Sequence, residues 1–176
     1  MKAMMSLLVL AVVVVSLLVA QQPRELRVER TMTLDAPASV VFAKVNNLAA
    51  WEDWSPWAKL DPAMVNTYEG PAAGTGAKQH WKGNQDVGEG RMTITESRPD
   101  AQILIHLEFV KPFASESISE FVFTPDGDRT EVTWRMVGEN DLMARLVSVF
   151  MDIEGMIGTR YEAGLSNLNQ LVHAQP

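Results

Sequence analysis

The sequence predicts an α+β fold in which an antiparallel sheet of six to seven strands is covered by one long C-terminal helix. Three observations predict it. ELRVERTMTL (25–34) alternates apolar and polar residues, the period of a strand with one buried face. Six further alternating runs follow between residues 64 and 136, separated by short turn-forming segments. From Leu142 to Val172 the apolar residues recur instead at three- and four-residue steps, the stripe of an amphipathic helix.

The chain opens with a different kind of segment. Ala3 to Ala20 reads AMMSLLVLAVVVVSLLVA, with Ser6 and Ser16 its only polar residues. As a helix these 18 residues reach about 27 Å, close to the thickness of a bilayer core. Residues 1–22 therefore read as a membrane anchor or a signal segment. A cleavage site after Ala20 would put Leu18 where a small residue is preferred, which favours an uncleaved anchor. Arg24, Arg27 and Arg30 after the segment, against Lys2 before it, lean towards a cytoplasmic domain. Cleavage or export would place the domain on the other side.

QQPR (21–24) is a short tether, and residues 25–175 read as one domain, with no internal repeat and no second linker. After the first strand, DAPASVVFAKVNNL switches to helical spacing, with Pro37 in the first turn and Val41, Val45 and Leu48 as its buried stripe. Pro56 and Pro62 stop that helical region. The strands expected next are MVNTYE (64–69), AKQHWK (77–82), GRMTITE (90–96), QILIHLEFV (102–110), SESISEFVF (115–123) and TEVTWRM (130–136). GPAAGTG, GNQDVGEG and PDGD between them supply the residues that tight connections require, so the runs form a meander. Asn140 and Asp141 are good caps for the last helix, a single rod about 45 Å long on this reading. It is the one element long enough to cover the sheet.

Composition removes several functions. The whole chain carries a net charge of −7, and setting Lys2 aside leaves 14 basic against 22 acidic residues. Without a basic run to offset that field, a nucleic acid partner is not expected. The lack of cysteine excludes disulfides, thiolate metal sites and cysteine nucleophiles. No HExxH, GxSxG or phosphate-loop spacing is present, so no metal or cofactor is implied.

Alternation also selects the covered face of the sheet. The more apolar set of each strand gives Trp81, Met92, Ile94, Ile103, Ile105, Leu107, Phe109, Phe121, Phe123, Val132, Trp134 and Met136. His80, Lys82, Arg91, Thr93, His106, Glu108, Glu116, Glu120, Glu131 and Arg135 fall on the other face. Acid–base catalysis needs titratable groups beside a substrate, and here they point away from the apolar side. The inner surface suits a greasy occupant, or simply a solid core. Glu96 shares parity with Met92 and Ile94 but lies at the end of its strand, a rim position.

WEDWSPW (51–57) places Trp51, Trp54 and Trp57 at equal spacing, with Glu52 and Asp53 between them. It reads either as a packed corner with its acids solvated or as a wall touching a ligand.

Four stretches carry a family likeness: DAPASVVFAKVNNLAAWEDWSPW, YEGPAAGTGAKQHWKGNQDVGEGRMTITE, TEVTWRM and MDIEGMIGTRYEAGLSNLNQL. Together they resemble the polyketide cyclase/dehydrase-like branch of the SRPBCC superfamily, which groups the START and birch-pollen-allergen proteins. The resemblance spans about residues 27–172. It implies a helix-grip fold, a curved sheet wrapped around the C-terminal helix with a deep apolar pocket between them. Functions in the superfamily include lipid and sterol binding or transfer, polyketide cyclisation and chaperone co-regulation, and fold alone does not choose among them. Joined to the apolar face, the resemblance implies a hydrophobic small molecule as partner. The residues expected to touch it are Trp54, Trp81, Met92, Ile94, Ile105, Leu107, Phe109, Phe121, Phe123, Trp134, Phe150, Ile153, Ile157 and Tyr161. Two alternatives stand beside this non-catalytic carrier. One is an enzyme on a ketide-like substrate with Glu96, Tyr68 or His80 as acid–base group. The other is a protein-interaction module with a solid core.

Overall fold

Strand alternation sets the architecture, because a register shift of one residue would turn every large apolar side chain into water. In a computed structural model, which describes residues 2–173, seven strands form one antiparallel sheet in the order β1-β7-β6-β5-β4-β3-β2. They are β1 (Glu25–Leu34), β2 (Val65–Glu69), β3 (Lys78–Lys82), β4 (Glu89–Arg98), β5 (Gln102–Lys111), β6 (Ser115–Asp126) and β7 (Arg129–Glu139). Strands β2 to β7 follow one another as a meander, and β1 closes the β7 edge. Cross-strand partners bring the inner set together: Phe121 faces Trp134, Ile103 faces Phe121, Ile94 faces Ile105 and Met92 faces Leu107.

The helices are α1 (Lys2–Gln21), α2 (Ala38–Asn46), α3 (Trp51–Trp54), α4 (Leu142–Ser148) and α5 (Ile153–His173), with short 3-10 turns at Leu48–Ala50 and Pro56–Lys59. Helix α2 buries Val41, Phe42 and Val45. Helix α5 packs along β1 and over the sheet, burying Tyr161, Leu165, Leu168 and Val172. This is an α+β helix-grip fold, with a curved sheet around a long C-terminal helix and an apolar helix ahead of it. The expected domain end at 175 lies outside the described residues.

Two corrections to the sequence reading concern the last helices. The single 45 Å rod is in fact two helices, separated by Val149–Asp152. Asp141 caps α4 by accepting the Ala144 amide at 2.8 Å, and Asp152 does the same for α5, accepting from Gly155 at 3.0 Å. Aspartate satisfies free amides better at a helix start than inside one. A Cβ at position 155 would lie 2.3 Å from the Asp152 carboxylate, so glycine there makes room for the cap. As a result Phe150 sits in the break and is 72% exposed.

The second correction concerns Glu96. The β4–β5 pairing shifts between Ile94 and Glu96, so Glu96 lies opposite Leu104 and leaves the parity of Ile94. Its carboxylate pairs with Arg98 instead. A bulge of this kind moves all later side chains to the other face.

Helix α5 is fastened at both ends of its packed length. Arg30 on β1 donates to Glu154 and to Glu162, each at 2.7 Å. Those hydrogen bonds, Glu154 first, hold the guanidinium pKa above its ordinary value. Gly158 lets the arginine pass beneath the helix, since a Cβ there would fall 1.9 Å from its terminal nitrogen. Further along, Asn167 donates to the Trp54 carbonyl at 3.0 Å, and Asn169 accepts the Asp35 amide at 2.8 Å.

Candidate functional site

Between the sheet, the α3 corner and the first half of α5 lies a cavity of about 220 Å³. Its walls are mostly apolar: Trp81 from β3, Met92 from β4, Ile105, Leu107 and Phe109 from β5, and Trp134 and Met136 from β7. Helix α5 contributes Ile157 and Tyr161, and the corner contributes Trp51, Trp57 and Ala58.

The aromatic wall is tightly made. Tyr161 stacks on Trp134 with ring centres 3.8 Å apart and planes 8° from parallel. Phe121 stacks on the same indole from the sheet side at 4.7 Å. Trp51, Trp54 and Trp57 each meet Trp134 edge-on, at 5.9, 5.7 and 5.9 Å. Trp134 Nε1 donates to Ser119 Oγ at 3.0 Å. Burial drives the Tyr161 pKa upward, and the neighbouring Ser119 hydroxyl pulls it partly back. A hydroxyl held neutral in this way positions the ring and is a poor base.

Of the residues expected around a ligand, Trp81, Met92, Ile105, Leu107, Phe109, Trp134, Ile157 and Tyr161 line the cavity. Trp54, Ile94, Phe121 and Phe123 are buried behind it in the solid core and do not. Ile153, half-buried, and Phe150, out in solvent, are also absent from its walls. Within the tryptophan stretch the cavity takes Trp51 and Trp57. Trp54 is fully enclosed and closes the corner.

The cavity also has a polar edge that choosing strand faces by apolarity had hidden. Glu52, Ser55, Asn66, Gln79 and Ser119 all line it. Glu52, exposed on one side, accepts from the Tyr68 hydroxyl at 2.7 Å and from Asn66 Nδ2 at 3.2 Å. Asn66 Oδ1 in turn accepts from Gln79 Nε2 at 3.0 Å. Burial, then the bond to Glu52, raises the pKa of Tyr68. Gln79 and Ser119 share strand parity with Trp81 and Phe121, so alternation alone would have found them.

The remaining acid–base candidates are elsewhere. His80 lies on the outer face, 3.8 Å from Glu69. It borders a wide outer depression of about 760 Å³ together with Lys82, Arg91, Glu108 and Glu116. Arg91 pairs there with Glu108, and His106 on the same face lies 3.1 Å from Glu116. Among the described residues no group of His, Asp and Glu is arranged to hold a metal ion.

No curated protein matches the chain. Solved structures match its fold over most of the chain. The di-domain ARO/CYC BexL from the BE-7585A biosynthetic pathway superposes with a TM-score of 0.66 at 14% identity, over 90% of this chain and 53% of that one. Protein MLL2253 from Mesorhizobium loti gives 0.61 at 15% identity, over 87% and 99%. Protein CV1439 from Chromobacterium violaceum gives 0.59 at 17%, over 86% and 98%. At these identities the likeness is one of fold. A family model described as polyketide cyclase / dehydrase and lipid transport matches residues 25–173, nearly all of the chain beyond the apolar segment, and the chain belongs to that family.

Proposed function

We propose that the protein is a membrane-tethered, non-catalytic carrier or sensor of a hydrophobic small molecule held between the sheet and α5. The observation that carries this reading is the apolar cavity of about 220 Å³ beside α5. A solid interaction module would have no hollow of that size. The volume falls below the roughly 300–1,000 Å³ of pockets for drug-sized ligands. It therefore suits a short acyl chain or a body of one or two rings. Enclosing about 300 Å² of such a ligand would contribute roughly 7 kcal/mol before ordering costs, a micromolar-scale ceiling.

The tether rests on α1, whose Met4–Gln21 window is apolar and only 6% buried. Helix α4 packs against α1. Leu142, Met143, Phe150 and Met151, in and just after α4, are exposed. Apolar side chains gathered beside a candidate anchor fit a domain held close to a bilayer.

The test compares the full chain with Leu107→Trp, which fills the cavity and leaves α1 untouched. Lipids bound around α1 co-purify with both proteins. A small apolar compound enriched only with the unmodified chain is the expected result. Identical extracts from the two proteins would remove the carrier reading. The enzyme alternative keeps one specific observation in its favour, the Glu52–Tyr68 pair at the cavity edge. Chemical change of the recovered compound on incubation, lost in Glu52→Gln, would select it.

A further inference from the structure

The polar edge of the cavity carries information about its ligand, because hydrogen-bond direction along it is fixed from one end. An ionised carboxylate only accepts. Glu52 must therefore receive the NH₂ group of Asn66, as the 3.2 Å contact with Nδ2 has it. That turns Asn66 Oδ1 towards Gln79, and an amide oxygen again only accepts. Gln79 must answer with its own NH₂ group, at 3.0 Å. What remains of the Gln79 side chain is its carbonyl oxygen, Oε1, which has no hydrogen-bond partner. Gln79 is only 5% exposed and lines the cavity.

Among the described residues, the other buried side-chain polar atoms that make no hydrogen bond are Trp54 Nε1, His80 Nε2, Arg135 Nε and Arg145 Nε, and of these Arg135 Nε still has Glu120 at 3.1 Å and His80 Nε2 has Glu69 at 3.8 Å. None belongs to a residue of the cavity wall. Gln79 is thus the one described place where an unmet hydrogen-bonding demand and a ligand-sized space coincide. Flipping its amide would not remove the demand, since Oε1 would then face Oδ1 of Asn66, acceptor against acceptor. Leaving a buried acceptor unmet is costly, and a site built to receive a donor rejects analogues without one.

We infer that the ligand of this cavity carries a hydrogen-bond donor, a hydroxyl, phenol or amide N–H, which seats on Gln79 Oε1 while an apolar body fills the aromatic part. Glu52, Asn66 and Gln79 act as a series that presents an acceptor. The expected ligand class is accordingly a small apolar alcohol, phenol or amide, and a pure hydrocarbon or an ether is disfavoured. This inference deepens the proposed carrier function and rests on it.

The test uses 2-naphthol and 2-methylnaphthalene, probes of similar shape in which a hydroxyl replaces a methyl group. Binding to the full chain in detergent micelles is read from tryptophan fluorescence, and repeated with Gln79→Met, which keeps the side-chain length and loses the acceptor. The affinity ratio of naphthol to methylnaphthalene is expected to fall by roughly tenfold in the variant, with methylnaphthalene binding retained. An unchanged ratio overturns the role of Gln79 and leaves the cavity reading standing. If neither probe binds the unmodified chain, the cavity reading falls and this inference with it. Should the variant not fold, the side-chain amide resonances of Gln79 in the unmodified chain decide. They shift with naphthol and not with methylnaphthalene, and an equal response to both overturns the inference.

Discussion

Trp134 is where sheet, corner and helix meet, and truncating it to alanine tests the whole arrangement. The residue is 2% exposed and touches Phe121, Tyr161 and all three tryptophans of the corner. A buried tryptophan removes about 150–250 Å² from water, which corresponds to about 4–6 kcal/mol of transfer free energy. The edge of the indole already faces the cavity, so part of that area is not lost from a packed interface. Tyr161 also loses its stacking partner, worth about 0.5–1.5 kcal/mol. These terms place Trp134→Ala at about 3–5 kcal/mol, within the range of aromatic truncations in cores. For a chain of this size the melting temperature should fall by about 6–20 °C. Thermal unfolding of the full chain in detergent, followed by far-UV circular dichroism, measures it. A loss below about 1 kcal/mol would mean that the inner register of β7 is wrong.

Two further predictions follow from the same geometry. Gly164→Ala on α5 adds a methyl group 2.8 Å from the Trp134 ring and 3.2 Å from Pro56. Better helix propensity returns up to about 1 kcal/mol, but overpacking against two rigid rings costs about 1–3 kcal/mol, so denaturant titration should show net destabilisation. On the outer face, the hydrogen bond from Arg91 holds the Glu108 pKa below its ordinary 4.5. A lowered folded-state pKa means that the unfolded chain binds more protons there. The contribution is therefore present above the ordinary pKa and is lost as pH falls through the lowered one. Arg91→Gln should return Glu108 towards 4.5, read by carboxyl NMR titration, and should flatten the acid limb of the stability curve. A Glu108 titration that does not move contradicts the pairing.

The sheet was legible in the sequence because one of its faces is buried. Wherever Trp134, Phe121 or Ile105 had to point inward, alternation recorded the fact. Glu96 escaped that rule through a bulge, which the polar pair Thr95–Glu96 after Ile94 marks only as a fading of the apolar pattern at the strand's end. The division of the last helix was legible in principle, since Asp152 precedes an apolar-periodic run with Glu154 in its first turn, the usual signature of a helix start. A continuous apolar stripe obscured it. The cavity was legible only through the family resemblance, which implies a pocket between sheet and helix, and not through periodicity. Whether facing side chains meet or leave a gap depends on the separation of α5 from the sheet, and periodicity carries no information about that distance.

The tryptophan corner accounts for where the hollow stops. Beneath the second half of α5, Leu165, Leu168 and Val172 are buried in one cluster with Val41, Phe42, Val45, Leu34 and Phe123, and the core is solid. Beneath the first half, α5 presents Ile157, Gly158 and Tyr161, and Gly158 yields its space to Arg30 on the β1 side. Too little side-chain volume descends there to reach β3, β4 and β5, whose residues Trp81, Met92 and Leu107 are left facing a void. An apolar void of this size would ordinarily collapse or destabilise its surroundings. Here the Trp134–Tyr161 stack, braced by Trp51 and Trp57 and anchored by the hydrogen bond from Trp134 to Ser119, forms a partition between the filled and the empty end. The even spacing of WEDWSPW thus serves two ends: Trp54 completes the solid side, while Trp51 and Trp57 wall the hollow side.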